Sequence, residues 1–314
     1  MSAPAAQGAG GPPRGIYAML YAFFGADGGL DREAMRRQVE LCIAGGAHGI
    51  AVLGLATEVG KLTLEERHRL LAWAAEDVAG RRPLAVTVTG ATVEDQVAFL
   101  RAVEAAGASW AILQPPAGTA IAEDELVRFF GAVADRAALP VGIQNAPAYI
   151  GYGLGPQAVL ALRRNHPNVT VLKGEGPAVE IAEIIAAAGG ELAVFNGRGG
   201  LELIDNLRAG CAGVIPSPDC VDIQARIFEL MAAGAEDEAE RLYREMLPLV
   251  TFTMQSVAHL VCYGKRVTAR RLGLAAVHDR APALALTAFG LTCVERYAAA
   301  LPRLGAVSRP PLPV

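Results

Sequence analysis

The sequence of 314 residues is poor in lysine and lacks both a net basic charge and a long apolar run. Its formal net charge is −4, so no basic excess favours a nucleic-acid partner. No uninterrupted apolar stretch reaches the roughly 18 residues that a membrane-spanning helix needs. We therefore expect neither nucleic acid nor a membrane as a partner. Only three lysines are present, Lys61, Lys173 and Lys265.

Cysteine and histidine also lack the spacing that a disulfide framework or a metal site would need. No C-x-x-C pair occurs among the five scattered cysteines, which is typical of a reduced compartment and predicts a cytoplasmic protein. The five histidines show no metal-ligand spacing, so we expect no metal. Charged residues make up only 19% of the chain, which suggests that further surface is buried between subunits.

The two ends of the chain read as loose tails, residues 1–14 and 306–314. The first has no charged leader and no apolar core, so it does not resemble a signal peptide.

Eight short apolar runs alternate with amphipathic stretches, as expected for strands buried on both faces of a parallel sheet. The apolar runs are 16–21, 49–55, 84–89, 110–114, 141–144, 169–173, 192–196 and 213–216. The stretches with helical spacing are 32–44, 63–78, 92–106, 123–137, 156–165, 178–188, 200–209 and 221–233. The second of these opens with Thr63-Leu-Glu-Glu66, a capping-box pattern.

Eight strand–helix pairs match a (β/α)8 TIM barrel in count and length, and we predict this α/β fold for residues 15–234. A doubly wound open sheet would need a Gly-rich phosphate turn after an early strand, and the sequence has none. The stretches 237–259, 267–272 and 282–300 predict a C-terminal helical extension, residues 235–305, packed on the barrel. Pro282 suits the first position of its last helix.

The strand ends predict the position of the active site, because reacting groups of such barrels cluster at the C-terminal ends of the strands. Lys173 ends one apolar run and is followed by Gly174 and Glu175. Alternation along a strand points Lys173 and Glu175 the same way. A lysine is costly to bury there, so we expect it to act as an amine nucleophile toward a carbonyl group. An amine beside a carboxylate suits imine chemistry on a 2-oxo acid.

Four separated motifs resemble one enzyme family, the dihydrodipicolinate synthase / N-acetylneuraminate lyase family of Schiff-base lyases. They are Gly54-Leu-Ala-Thr-Glu58 followed by Leu62-Thr-Leu-Glu-Glu-Arg67, Gln144-Asn-Ala-Pro147, Val171-Leu-Lys173, and Gly210-Cys-Ala-Gly-Val-Ile215. The resemblance runs from about Gly15 to Ala300. It implies a (β/α)8 barrel, a homotetramer built as a dimer of dimers, and no metal or organic cofactor.

The resemblance also implies roles for individual residues. Lys173 would form the imine. The carboxylate of the 2-oxo acid would meet the backbone N–H groups of Gly54, Leu55, Ala56 and Thr57 at the start of a helix, which suits anion binding. Gly197 and Ile215 would line the same pocket.

This sequence departs from the family pattern in ways that argue against dihydrodipicolinate synthesis. Leu55 and Ala56 stand where the family usually has hydroxyl residues, and Gln144 replaces the proton-relaying tyrosine. The tyrosine that a partner subunit lends maps near Pro116-Ala117 and is absent, and Tyr149 replaces the arginine that holds the aldehyde substrate.

Gln-x-Ala-Pro together with Lys-x-Glu resembles instead the 2-keto-3-deoxyarabonate dehydratase branch, which implies a hydro-lyase acting on a 2-keto-3-deoxy sugar acid. Glu175, or a water that it holds, would remove a C3 proton from the imine. The C4 hydroxyl would then leave, oriented or protonated by Gln144, Thr57, Asn196 or Tyr149. Arg198, in Asn196-Gly-Arg-Gly-Gly200, would bind a substrate carboxylate.

Two other functions remain open on the sequence alone. One is a pyruvate-dependent aldolase or a synthase-like condensing enzyme, which differs from the dehydratase only in where the proton is taken. The other is a barrel that has lost catalysis and binds a ligand. Each candidate also has a structural alternative. These are a lysine reaching solvent for Lys173, an ion pair or a helix N-terminal carboxylate for Glu175, a hydrogen bond to barrel backbone for Gln144, packing for Tyr149 and a helix cap for Arg198.

Overall fold

The computed structural model describes residues 11–116, 118 and 120–301. Eight parallel strands close into a barrel in chain order, with β1 pairing to both β2 and β8. The strands are β1 Gly15–Met19, β2 Gly49–Val52, β3 Leu84–Val88, β4 Trp110–Leu113, β5 Val141–Asn145, β6 Val169–Gly174, β7 Ala193–Asn196 and β8 Gly213–Val214. The predicted (β/α)8 barrel is confirmed.

Helices follow the strands at the eight predicted places, and the short helix Pro147–Ile150 is an addition that the sequence did not predict. They are α1 Arg32–Ala44, α2 Leu64–Val78, α3 Val93–Ala105, α4 Glu123–Ala134, α5 Pro147–Ile150, α6 Pro156–Asn165, α7 Ala178–Ala188, α8 Leu203–Arg208 and α9 Val221–Ala232. The capping box predicted at Thr63 is present, since Thr63 and Glu66 each accept from the other's backbone N–H. A reciprocal pair of this kind satisfies two of the N–H groups that every helix start leaves without partners.

Two predicted boundaries were wrong for conformational reasons. The apolar run 49–55 ends as a strand at Val52, because Leu53 adopts a left-handed conformation with φ 66° and turns the chain. The stretch 200–209 becomes helical only at Leu203, because Gly200 and Glu202 also have positive φ values. In both cases the residues left over form a loop at the mouth of the barrel.

Aromatic rings fill the middle of the barrel. Tyr17, Trp110 and Phe195 contact one another with ring centroids 5.5 to 5.8 Å apart. Side chains two residues further along these strands point the same way and lie one layer closer to the C-terminal mouth. Two positions in this layer are Met19 on β1 and Gly197 after β7, the latter without a side chain. The aromatic layer is therefore the floor on which the site rests.

The C-terminal extension differs in detail from its prediction. It contains α10 Glu236–Thr253, α11 Val257–His259, a π-helical turn Leu260–Gly264, α12 Lys265–Leu272 and α13 Ala288–Ala300. The single helix predicted over 237–259 is broken, because Ser256 accepts from the N–H of His259 and starts a new segment. The predicted start at Pro282 was also wrong. The last helix begins at Ala288, where Thr287 caps it through the N–H of Gly290.

Buried polar contacts hold this extension on the barrel. Asp219 accepts from the hydroxyl of Tyr21 at 2.7 Å and from that of Thr268 at 3.1 Å. Arg271 pairs with Asp222 at 2.7 Å, and both side chains are buried. Within the described residues no single helix is long and apolar enough to span a membrane, and one sharply bent pair, 236–253 with 257–272, meets the length and composition test only jointly. Of the predicted tails, 1–14 and 306–314, residues 1–10 and 306–314 lie outside the described residues.

Candidate active site

Lys173 lies inside the barrel mouth, as the second-last residue of strand β6, directly before Gly174. Only 4% of its surface is exposed. In the strand register it stands between Gln144 on β5 and Phe195 on β7. The amine is therefore enclosed by the barrel wall and does not reach bulk solvent.

Glu175 holds this amine. The distance from Lys173 Nζ to Glu175 Oε1 is 2.5 Å, and the carboxylate is equally buried. Gln144 donates from Nε2 to the same oxygen at 2.7 Å. The three side chains that the sequence predicts to be catalytic thus meet at one carboxylate oxygen.

Chemically, such a pair can share one proton between nitrogen and oxygen. With the proton on Glu175 the amine of Lys173 has a free lone pair and can attack a carbonyl carbon. With the proton on the amine, the carboxylate is free to accept a proton from carbon. Gln144 fixes the position of Glu175 in both states, because its amide can only donate from Nε2.

Gly197 gives these side chains their space. A Cβ atom placed on it would lie 2.8 Å from Glu175 Cδ and 2.9 Å from Lys173 Cε, closer than atoms approach without displacement. The backbone of β7 can pass this close only because the residue has no side chain. The prediction that Gly197 lines the pocket agrees with this packing.

The loop Gly54–Thr57 lies at the mouth beside β3. The sequence had suggested that it begins a helix, but the structure shows a turn there. A 3-10 turn follows at Val59–Lys61, and α2 begins only at Leu64. In the described part of the chain, no acceptor contacts the buried N–H groups of Ala56 or Thr57. These N–H groups can therefore receive an anion.

The hydroxyl of Thr57 is used within the protein. It donates to the backbone oxygen of Leu20 at 2.6 Å and lies 3.6 Å from the sulfur of Met19. This bond ties the loop to the residue that follows strand β1 and uses the hydroxyl's proton within the protein. Leu55 lines a separate apolar cavity of about 280 Å³ between the loop and the C-terminal helices.

Tyr149 and Arg198 lie together at the rim of the site. Tyr149 is on the short helix α5, and burial raises the pKa of its phenol, an effect that the nearby Arg198 opposes and Glu175 reinforces. Arg198 also pairs with Glu202 at 2.7 Å. The phenol is thus neutral at physiological pH, and the rim combines a hydroxyl with a positive charge.

Asn196 is brought to the barrel mouth but not to the amine. Its amide donates to the Gly176 oxygen and to Asn206 Oδ1, both at 3.0 Å, and its oxygen accepts from the N–H of Arg198 at 2.9 Å. These bonds fix the loops that follow β6 and β7. Ile215 is buried just after β8, where its N–H donates to the Asn196 oxygen at 2.9 Å.

Sequence reasoning missed Thr87 on strand β3. Its side chain lies near Gly54 inside the barrel, and its hydroxyl has no hydrogen-bond partner among the described residues. The only signal was one hydroxyl in the apolar run Leu84-Ala-Val-Thr-Val88, at a position of inward alternation. The tyrosine that a partner subunit lends in the family maps near Pro116-Ala117, and Ala117 lies outside the described residues.

The described residues contain no group of three His, Cys, Asp or Glu side chains placed to hold a metal ion.

Comparison with known proteins identifies the family. The profile of the dihydrodipicolinate synthetase family matches residues 12–299. A 4-hydroxy-tetrahydrodipicolinate synthase of Stenotrophomonas maltophilia is 30% identical over 94% of this chain and 98% of its own length. An L-2-keto-3-deoxyarabonate dehydratase of Azospirillum brasilense is 28% identical over 76% of this chain and 78% of its own.

Solved structures show the same fold. The 4-hydroxy-tetrahydrodipicolinate synthase of Methylacidiphilum fumariolicum SolV superposes with a TM-score of 0.84 at 22% identity, covering 91% of this chain and 95% of that one. Since the family profile spans nearly the whole described chain, this protein belongs to the dihydrodipicolinate synthetase family.

Proposed function

We propose that the protein is a Schiff-base-forming lyase that removes water from a 2-keto-3-deoxy sugar acid of the 2-keto-3-deoxyarabonate type. The observation that carries this proposal is the shared oxygen of Glu175. That oxygen lies 2.5 Å from the amine of Lys173 and 2.7 Å from the amide of Gln144. A carboxylate held against the imine-forming nitrogen is placed to take a proton from the carbon next to the imine.

The first step joins the amine to the substrate. With the shared proton on Glu175, Lys173 Nζ attacks the C2 ketone, and loss of one water gives the imine. Protonation of the imine nitrogen, with the proton returned from Glu175, makes C2 an electron sink. This lysine supplies by itself the electron withdrawal that a metal or an organic cofactor would provide, so we propose that the reaction needs neither.

The second step eliminates the hydroxyl. Glu175 takes a C3 proton to give the enamine, whose electrons then expel the C4 hydroxyl as water when a proton is delivered to it. Hydrolysis of the resulting imine releases Lys173 and the dehydrated 2-oxo acid. Of the residues suggested to orient or protonate the leaving group, Thr57 and Asn196 are engaged with other protein groups. Gln144 and Tyr149 remain.

Gln144 supports a substrate that carries a hydroxyl at this position. Its Oε1 is buried and has no partner among the described residues, although its Nε2 is bonded. A buried carbonyl oxygen without a donor is costly, and a substrate hydroxyl would satisfy it. Pyruvate alone has no such group.

A condensing enzyme is the second candidate, because several relatives are named 4-hydroxy-tetrahydrodipicolinate synthases. It would use the same imine with pyruvate and join it to an aldehyde. An aldolase would instead release pyruvate from a hydroxy-oxo acid. A non-catalytic barrel would bind a ligand without turnover. All four possibilities are separated by product analysis.

The test begins with trapping. Borohydride is added to the protein with pyruvate or 2-keto-3-deoxyarabonate, and the adduct is read by intact mass. Wild type gains the mass of the reduced adduct and Lys173→Ala does not. Wild type left unmodified by every 2-oxo acid would exclude imine chemistry. Turnover of the sugar acid to a product lighter by one water supports the dehydratase, whereas pyruvate release, read with lactate dehydrogenase, supports the aldolase.

The role of Glu175 has its own readout. In D2O the enzyme should exchange the C3 protons of bound pyruvate, which proton NMR detects. Glu175→Gln should still be trapped by borohydride but should exchange at least about a hundredfold more slowly, the range for loss of a general base. Glu180→Gln, an exposed carboxylate on α7, is the matched control. Equal exchange in all three proteins would assign the base elsewhere.

We further propose a cytoplasmic homotetramer. Large apolar side chains exposed on this chain support subunit contacts, namely Leu64, Leu286, Phe289 and Leu291. The five cysteines are all free and buried, which suits a reducing compartment. Light scattering after gel filtration tests the assembly, and a monomer at micromolar concentration would contradict it.

A further inference from the structure

We propose that the hydroxyl of Thr87 binds the carboxylate of the 2-oxo acid, as a substrate-binding residue that complements the backbone N–H groups of the Gly54–Thr57 loop. This inference rests on the proposed function, since it names a contact of the same substrate. It is carried by the position of the hydroxyl, by its missing partner and by the donors around it.

Thr87 is in the mouth of the barrel, next to the loop. It is 1% exposed and lies on β3, the strand beside β2, from which the loop emerges. A Cβ atom placed on Gly54 would lie 3.4 Å from Thr87 Oγ1 and 2.6 Å from the methyl of Met19. Thr87, Gly54 and the end of the Met19 side chain are therefore packed neighbours at the base of the loop. Met19 belongs to the layer directly above the aromatic floor, which also contains Gly197.

The hydroxyl of Thr87 has no partner among the described residues. Burying a hydroxyl without a hydrogen bond costs free energy, so native proteins nearly always satisfy such groups. The hydroxyl of Thr57, in the neighbouring loop, is satisfied in the usual way, since it donates to the backbone oxygen of Leu20 at 2.6 Å. In the register Thr87 pairs with Ile112, which offers no side-chain acceptor. The missing partner is therefore a group that enters the site.

The neighbouring groups indicate that this partner is an anion. The N–H groups of Ala56 and Thr57 are donors without acceptors in the described chain. A group that binds these N–H groups must be an acceptor, and the Thr87 hydroxyl can donate to the same group because a hydroxyl both donates and accepts. Leu55 and Ala56 contribute no hydroxyl of their own, and Thr87 supplies one from the next strand. A carboxylate has the oxygens that this arrangement needs.

The placement also orients the substrate. Thr87 and the loop lie at β2 and β3, the amine of Lys173 at β6, and the free oxygen of Gln144 at β5. A 2-oxo acid with its carboxylate at Thr87 and its C2 at the amine directs C4 toward Gln144. A single threonine thus fixes the end of the substrate opposite to the leaving hydroxyl.

The experiment compares an anionic with a neutral ketone. Half-saturating concentrations for borohydride trapping are measured with pyruvate and with methyl pyruvate, in wild type, Thr87→Val and Thr87→Ser. Valine keeps the shape and the β-branch of threonine. We expect Thr87→Val to raise the half-saturating concentration of pyruvate by about ten- to hundredfold, as for loss of one hydrogen bond to a charged group. The same variant should change the half-saturating concentration of methyl pyruvate by less than about twofold. Thr87→Ser keeps the hydroxyl and should return the pyruvate concentration to that of wild type.

Two results would overturn the assignment: an unchanged pyruvate value in folded Thr87→Val, or equal weakening of pyruvate and its ester, which marks a packing role. If thermal melting shows that Thr87→Val does not fold, Thr87→Ala is used in its place. Calorimetric titration with pyruvate separates this inference from the proposed function. If wild type binds pyruvate through Thr87 but forms no adduct, imine formation is refuted and the role of Thr87 stands. If wild type binds no pyruvate, both imine formation and the role of Thr87 are refuted.

Discussion

Gly197→Ala tests whether the spacing of the Lys173–Glu175 pair controls the reaction. The added methyl would lie 2.8 Å from both Cγ and Cδ of Glu175 and 2.9 Å from Lys173 Cε. The backbone of Gly197 does not require a positive φ, so alanine introduces no conformational strain there. The perturbation is therefore confined to the two side chains that carry the proposed chemistry.

The geometry fixes the size of the effect. Ordinary van der Waals contact of a Cβ begins near 3.4 Å, so the side chains of Lys173 and Glu175 must each move by at least about 0.5 Å, and a misplacement near 1 Å can lower a rate about 100-fold. Overpacking of this kind costs about 1–3 kcal/mol of stability. We therefore expect a folded protein with a modestly lower melting temperature and an imine-trapping rate about 100-fold below wild type.

The assay is borohydride trapping with saturating pyruvate, followed by intact mass over time. Gly60→Ala is the matched control, because its new methyl meets no atom within 4 Å. It should behave as wild type. If Gly197→Ala folds and is trapped at the wild-type rate, the contact between Gly197 and the pair does not govern catalysis, and the argument from spacing is refuted.

Two further predictions concern the attachment of the C-terminal helices. Arg271→Met should lower the free energy of unfolding by about 3–5 kcal/mol, because it leaves Asp222 buried without its 2.7 Å partner; a urea melt within 1 kcal/mol of wild type, on the scale of an exposed pair, would contradict this. Burial raises the pKa of Asp219 above 3.8, so the folded protein loses stability as pH rises through that higher pKa. Asp219→Asn can still accept from Tyr21 and Thr268, so its free energy of unfolding should rise relative to that of wild type between pH 4 and pH 7. A difference in unfolding free energy that does not change with pH in urea melts would refute the raised pKa.

The barrel was predictable because its signal is repeated eight times. Each strand is a short apolar run and each helix has one apolar face, so an error at one boundary does not change the fold. The helices 32–44, 156–165 and 178–188 have the predicted bounds. The errors fall at loops, where single backbone angles decide, as at Leu53 with its positive φ. No periodicity reports such an angle.

The site was only partly predictable, because sequence position does not fix where a side chain's polar atoms point. Lys173, Glu175 and Gln144 meet because alternation and register act on the backbone. Thr57 and Asn196 were candidates on position, but nearby backbone groups take their hydrogen bonds. Such local competition is common for short polar side chains.

The lysines show which reasoning selects the proposed nucleophile. Burial alone would select Lys265, which is fully buried, over Lys173. Burial lowers the pKa of Lys265, but its amine is enclosed by Glu58 and the ring of Phe24. Glu58 also binds Lys61, so both lysines hold the loop in place.

Lys173 differs in where its neighbours lie. Its carboxylate partner sits beside it at the barrel mouth, next to an unpartnered oxygen of Gln144 and a glycine that keeps the space open. A buried ion pair alone indicates structure as readily as chemistry. What distinguishes this pair is that the buried Gln144 Oε1 beside it has no hydrogen-bond partner among the described residues, as the proposed substrate site requires.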